Sequence, residues 1–249
     1  MSYKVSMHAG LAALALAVAM PATAQEKTGG KPGFALQPGT VRIALMRPTV
    51  RVGEQSTGGM FEPNADWTRQ SRDNLIGALR KVQAGLGNEI VEQPEGIAGD
   101  DPVTAQYRNL FGTVADSVIT YQFFPGNRLP TKKRKNTFEW SLGPGVAKLP
   151  ALEGMDYALF VNTEDQYGSG GRKALQIFAA MAGVGITSGV HKGHAGLIDL
   201  KTGELVWLNA DLAMGGDVRT PEGAVKRVQQ LLEGFPGRPV AAAPKTAGR

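Results

Sequence analysis

Apolar and polar positions follow two different periods in the first half of the chain. Residues 41–46 (VRIALM) form a short, β-prone apolar run, which predicts a strand. Residues 65–86 carry Trp67, Leu75 and Leu79 at the three- and four-residue spacing of an amphipathic helix. Residues 89–92 are a second short strand candidate. The pattern therefore predicts a strand, a helix and another strand in succession.

A second helix is predicted after this strand. Asp100 or Asp101 is its expected N-cap, and Pro102 stands in the first turn, where a missing N–H is tolerated. The apolar residues that recur at helical spacing define its expected inward face. They are Val103, Tyr107, Leu110, Val114 and Val118.

The second half of the chain predicts a central strand, a hairpin and a final helix. Residues 156–161 (DYALFV) have the continuous apolar core of a strand buried on both faces. Residues 194–199 and 205–209 form an antiparallel hairpin whose turn contains Gly203. The last helix begins with Thr220 as cap and Pro221 in its first turn. Its expected inward residues are Val225, Val228 and Leu232. The predicted fold is α/β, with a mixed sheet and helices packed against it.

The two ends of the chain differ in composition from this folded unit. Residues 1–24 combine Lys4, an apolar run and an Ala-x-Ala site, which predicts a cleavable signal peptide and a periplasmic protein. Residues 25–40 and 236–249 are rich in Gly, Pro and Ala, so we expect a flexible linker and a disordered tail. A single domain is expected over 41–235. The sequence contains no cysteine, so neither a disulfide nor a lipid-modified cysteine is expected.

Charge excludes little except a dedicated nucleic-acid binder. The formal net charge is only +5 over 249 residues, and no nucleic-acid partner is expected. The densest charge run is Lys132, Lys133, Arg134 and Lys135. It is interpreted either as a solvated loop or as a peripheral contact with anionic headgroups at the membrane.

Three stretches of the second half resemble a known family. They are GMDY at 154–157, EDQYGSGG at 164–171 and GLIDLKTGELV at 196–206. Residues 154–211 are similar to the α/β domain shared by the amino-terminal part of TolB-type proteins and the curli secretion channel family. The resemblance implies an assembly or accessory role in the cell envelope, with no catalysis and no bound cofactor. The chain lacks the channel's lipid-anchoring cysteine and its amphipathic membrane hairpin.

An uncharged segment of 17 residues runs from Ala174 to Val190. One interpretation is an element that contacts the membrane, an envelope partner or a second copy, because a long exposed apolar stretch forms an adhesive patch. The other is a helix packed on the sheet and followed by a glycine-rich turn. Such a segment is short for a membrane-spanning helix, which needs roughly 20 residues.

Candidate chemistry is sparse, and no catalytic, cofactor or metal residue is predicted. The turn from Gly168 to Lys173 is the alternative site for a small ligand or anion, although it lacks P-loop spacing. His191 and His194 could supply two metal ligands, with Asp199 as a third, but a zinc site needs three or four convergent ligands, and His-Lys-Gly-His is more typical of a solvated loop. A pair of carboxylates for glycoside cleavage would have to come from five candidate acidic residues. They are Glu139, Glu164, Asp165, Asp199 and Asp211.

The sequence therefore predicts a non-catalytic, exported envelope protein that acts as an assembly, interaction or secretion-accessory module, either in the periplasm or at the inner face of the outer membrane. The alternative is a periplasmic small-ligand or anion-binding protein, or a hydrolase, with its site near the 168–173 turn. No G-x-S-x-G motif supports the hydrolase.

Overall fold

A computed structural model describes residues 26–93, 101–124, 127 and 137–237 of the chain. Within these ranges, eight strands form one sheet. They are β1 (Glu26–Gly30), β2 (Arg42–Leu45), β3 (Thr49–Gln55), β4 (Phe61–Pro63), β5 (Glu89–Glu92), β6 (Tyr157–Gly168), β7 (Val190–Asp199) and β8 (Leu205–Asp211). The order is β1-β8-β7-β6-β2-β5, while β3 pairs with β6 and β4 pairs with β3. The sheet is mixed, since β2 and β3 run parallel to β6 and β7 runs antiparallel to it.

The described part of the chain contains four α-helices. They are α1 (Ala65–Val82), α2 (Pro102–Val118), α3 (Gly170–Met181) and α4 (Pro221–Leu231). We call the side covered by α1 and α4 the first face, where Leu75, Leu197 and Leu231 are buried. The second face is covered by α2 and the short 3₁₀ helices Pro144–Lys148 and Pro150–Leu152. The predicted mixed α/β fold is thereby confirmed.

Strand β6 is the centre of the sheet and places side chains on both faces. Leu159 and Val161 belong to the core of the first face, and Ala158 and Phe160 to that of the second. This alternation follows from the two-residue period of a strand. The buried central strand predicted from residues 156–161 is confirmed, and it continues as a polar stretch to Gly168.

Strands β2 and β3 follow one another along the same side of β6. Ile43 is aligned with Tyr157, whereas Thr49 is aligned with Asn162, so the register slips by one residue between the two strands. Pro48 lies in the interruption, where a residue without an N–H does not break a ladder hydrogen bond. The sequence pattern predicted β2 but not β3.

Several predicted element ends agree with the structure. The Asp101 carboxylate accepts a hydrogen bond from the Thr104 N–H at 2.8 Å, which makes it the N-cap of α2. The Thr220 hydroxyl likewise accepts from the Gly223 N–H at 3.1 Å and caps α4. Gly203 has φ of +76°, as the hairpin turn requires.

The expected flexible linker is wrong in part, because residues 26–30 form the edge strand β1. It pairs antiparallel with β8, and the Thr28 hydroxyl donates a hydrogen bond to Asn209 at 2.7 Å. The reason is that a glycine-rich segment has no pattern of its own, so the free edge of β8 determines its conformation. Residues 1–24, Lys132–Lys135 and 238–249 lie outside the described residues, so the predictions made for them remain predictions.

The predicted inward face of α2 is also wrong at two positions. Val103 and Leu110 are 48% and 41% exposed, while Phe111 and Ala115 are buried. Val118 is buried as expected. Rotating the helix inserts Phe111 beside Gly196 and against Phe160, where the two rings stack at 4.8 Å. The larger aromatic side chain thus determines which stripe faces the sheet.

Candidate functional site

Within the described ranges, helix α3 differs from the other three α-helices in that it has no buried residue. It follows β6 directly, and the Ser169 hydroxyl caps it by accepting a hydrogen bond from the Arg172 N–H at 3.2 Å. None of its residues is buried. Its exposed apolar side chains include Ile177 (62%), Phe178 (69%) and Met181 (79%), and Val184 just after the helix is 54% exposed. The helix presents a contiguous apolar stretch to solvent.

The interpretation of residues 174–190 as a helix packed on the sheet is therefore wrong. The segment is helical up to Met181, but no residue of α3 is buried, so the helix does not pack into either core of the sheet. Because strand β6 extends beyond the cores of both faces, the helix that follows it lies on the surface. In the described ranges, no helix combines the length and apolar character needed to cross a bilayer.

Arg172 fixes the beginning of α3 to its surroundings. Its Nε and one terminal nitrogen donate to the Thr187 carbonyl oxygen at 3.1 and 2.9 Å, and the other terminal nitrogen donates to the Thr57 carbonyl oxygen at 3.3 Å. The side chain thus joins α3 to the β3–β4 turn and to the segment before β7. A guanidinium that binds carbonyl oxygens in this way is not directed at an anion, which weakens the expected anion site at the 168–173 turn.

A buried ion pair lies on the first face, close to the end of β6. Arg227 of α4 donates two hydrogen bonds to the Asp165 carboxylate, at 2.9 and 2.7 Å, and both side chains are fully buried. The guanidinium also donates to the carbonyl oxygens of Gly215 and Gly216. His191 Nδ1 lies 2.8 Å from Asp165 Oδ1. Burial of charge is tolerated because the groups are paired and hydrogen-bonded.

A second polar cluster connects β6 to the segment before α4. The Tyr167 hydroxyl donates to the Asp217 carboxylate at 2.7 Å, and Arg219 donates to the same carboxylate through two nitrogens. The Arg219 guanidinium stacks over the rings of Tyr167 and Trp67. Hydrogen bonding from Arg219, supported by that from Tyr167, holds the pKa of Asp217 well below its usual range. Burial and the Asp217 hydrogen bond raise the pKa of Tyr167.

The two histidines do not form a metal site. They lie three residues apart on β7, so their side chains are on opposite faces: His191 beside Asp165, and His194 against Phe111 of α2. Among the described residues, no three His, Cys, Asp or Glu side chains converge as metal ligands. Burial lowers the pKa of His194 to about 4, which keeps its imidazole neutral at pH 7.

The candidate carboxylates are likewise separated. Glu164 and Asp165 are neighbours on β6 and therefore lie on opposite faces. Asp199 accepts from backbone N–H groups of the hairpin turn, and Asp211 accepts from the Ala213 N–H. Glu139 is exposed. Their described contacts serve the local structure. Arg227, which sequence reasoning missed, looks like an ordinary surface cation of an amphipathic helix, and its partner is 62 residues away.

A polar cleft of about 380 Å³ lies on the second face, where α2 ends above β3, β6 and β7. Two cross-strand rows line it: Thr49, Asn162 and His194 in one, and Arg51, Glu164 and Lys192 in the next. Helix α2 contributes Asp116, and the π-helical turn that follows it (Ile119–Phe123) contributes Thr120. A separate cavity of about 290 Å³ lies at the ends of β2 and β5, with Arg47, Arg80 and Arg108 among its lining residues.

A scan against protein-family models finds no match, and a search of curated proteins finds no similar sequence. Among solved structures, a crystallised dodecamer of a PelC variant from Paraburkholderia phytofirmans aligns with a TM-score of 0.36 and 14% identity, over 86% of this chain and 99% of that one. A second PelC dodecamer from the same organism aligns with a TM-score of 0.34 and 14% identity, over 83% and 93%. Similarity at this level supports no conclusion about function or assembly.

Proposed function

We propose that the chain is a non-catalytic envelope module that associates through α3, and that its first partner is a second copy of itself. The observation that carries this proposal is the exposure of Ile177, Phe178 and Met181 on a helix with no buried residue. Burying apolar surface of this kind in an interface is favourable by roughly 25 cal/mol per Å². The export of the module rests on the sequence of residues 1–24 alone.

The composition of α3 favours a protein partner over a lipid surface. Helices that lie on membranes combine an apolar face with a face rich in Lys and Arg. Helix α3 carries Arg172 and Lys173 only in its first turn, and residues 174–190 contain no Lys, Arg, Asp or Glu. Protein interfaces are instead depleted of charge at their centre and enriched in Phe and Met. Small residues, such as Ala174 and Ala180, allow two helices to approach closely.

The hydrogen bonds that fix the first turn of α3 also favour a role in an interface. The Ser169 cap and the three hydrogen bonds of Arg172 hold the first turn in place. A surface that is already ordered loses less conformational entropy on association than a flexible one. Another exposed apolar residue, Met60 (74%), lies in the β3–β4 turn, which Arg172 ties to α3.

Size-exclusion chromatography with light scattering tests this proposal on protein expressed from the full sequence. The wild type is expected to be oligomeric at micromolar concentration, and the double variant Ile177→Lys/Met181→Lys is expected to be monomeric. Leu110→Lys is the matched control, because Leu110 is an exposed apolar residue (41%) on α2. It should leave the oligomer intact.

Two outcomes would contradict self-association. One is a wild type that stays monomeric at every accessible concentration. The other is a monomer that floats with phospholipid vesicles while the α3 double variant does not, which would assign the surface to lipid. Fractionation of cells that express the full sequence tests the location separately, and a protein found only in the cytoplasm would contradict export.

A further inference from the structure

The polar cleft on the second face has more hydrogen-bonding groups than the fold needs. A sheet face next to a helix is normally apolar, and the preceding residues Ala158 and Phe160 of β6 follow that rule. Beside them, Thr49, Asn162 and His194 lie in register across three strands. The Asn162 amide nitrogen lies close to Gly112 of α2, which places the side chain between the sheet and the helix.

One atom of this row lacks a partner. The Nε2 of His194 is buried and has no hydrogen bond within the described part of the chain. A buried, unpaired polar atom costs free energy that a bound ligand would recover. The imidazole is neutral, so it offers one donor and one acceptor, and the Asn162 amide and the hydroxyls of Thr49 and Thr120 also combine both functions.

The charges of the cleft compensate one another. The Glu164 carboxylate is paired with Arg51 at 3.1 Å and with Lys192 at 3.6 Å. Asp116 supplies the second acidic group among the described lining residues, so two cations face two acids. A ligand that carried a net charge would therefore enter the cleft without a free counter-charge.

We infer that this cleft binds a small, uncharged, polyhydroxylated compound such as a monosaccharide. Hydroxyl groups both donate and accept, which matches side chains of the same dual character. The volume of about 380 Å³ lies at the small end of known ligand pockets and suits one sugar ring. The site is distinct from the 168–173 turn that the sequence predicted, and it does not depend on self-association through α3.

Ligand-observed NMR and calorimetry on the full protein test this inference with a panel of neutral probes: glucose, galactose, N-acetylglucosamine and myo-inositol. At least one is expected to bind with a Kd of about 1–10 mM or tighter. Glucuronate and glucosamine, which are charged, should bind at least about tenfold more weakly. A trisaccharide of the best probe shows whether the natural ligand is a free sugar or the end of a polysaccharide. Affinity equal to that of the monosaccharide indicates a free sugar, and tighter binding indicates a chain end.

Substitutions locate the site and test its charge balance. Thr49→Val keeps the shape of the side chain and removes the hydroxyl, so it should weaken binding of the best neutral probe about tenfold. Thr113→Val is the matched control, because Thr113 is exposed on α2 and outside the lining. Glu164→Gln leaves Arg51 and Lys192 without their partner, so it should turn the preference towards glucuronate.

The inference is overturned if no neutral probe binds, if the charged probes bind equally well, or if Thr49→Val binds like the wild type. A preference that Glu164→Gln leaves unchanged would also overturn the charge argument. Thermal melting of each variant checks that the protein is folded at the temperature of the binding measurement, so that a loss of binding is not caused by unfolding.

Discussion

Helices α3 and α4 begin alike and end in opposite environments. Each follows a strand, is eleven or twelve residues long and is capped by a hydroxyl, from Ser169 in α3 and Thr220 in α4. The more apolar of the two, α3, buries nothing, whereas α4 buries Ala224, Val228, Leu231 and even the charged Arg227. Apolar character alone therefore does not decide burial. The position to which the preceding strand delivers the helix decides it.

The largest difference in stability is expected when one arginine is replaced in each helix. Arg227→Met in α4 removes the guanidinium that is paired with the fully buried Asp165 carboxylate, which should lower the free energy of unfolding by about 3–5 kcal/mol. Arg172→Met in α3 removes hydrogen bonds of an exposed group and should cost about 1 kcal/mol or less. Urea unfolding measures both. Equal losses would contradict the contrast between the helices.

A matched pair of leucines measures the same contrast without charge. Leu231 of α4 is fully buried, and Leu231→Ala should destabilise the fold by about 2–5 kcal/mol. Leu175 of α3 is 37% exposed, and Leu175→Ala should change stability by about 0.5 kcal/mol or less. Both are to be compared by urea unfolding of dilute, monomeric protein. A growing effect of Leu175→Ala at higher concentration would indicate that association covers α3.

The sequence predicted α4 well because its signals are local. Thr220, Pro221 and the apolar spacing lie within a dozen residues. The hairpin of β7 and β8 is local in the same sense, since Gly203 provides its turn. The Asp165–Arg227 pair and the pairing of β1 with β8 join residues far apart in the chain, so no local pattern reveals them. The exposure of α3 is also a property of the assembled sheet.

Acid should weaken the hydrogen bonds of Asp217, which hold the segment before α4, whereas α3 contains no such acidic group. The folded pKa of Asp217 is lowered by its hydrogen bonds from Arg219 and Tyr167, so its contribution to stability is present above the ordinary pKa of 3.8 and is lost as the pH falls below it. Asp217→Asn should therefore be less stable than the wild type at pH 7, and the gap should narrow below pH 3.8. Unfolding curves across this range measure it. A constant gap would contradict the assignment.

The smallest expected difference concerns the two caps. Thr220→Ala should lower the free energy of global unfolding by about 1 kcal/mol, because α4 is part of the core and its N-terminal N–H groups lose an acceptor. Ser169→Ala removes the equivalent hydrogen bond from α3, whose surface position lets it open without the rest of the fold. Its effect should appear as faster amide hydrogen exchange confined to α3, with global unfolding unchanged. Exchange measured residue by residue, in monomer and oligomer, then shows whether association restores the protection that the cap supplied. If Ser169→Ala instead lowered global stability as much as Thr220→Ala, α3 would belong to the cooperative core, and its exposed apolar residues would need another explanation.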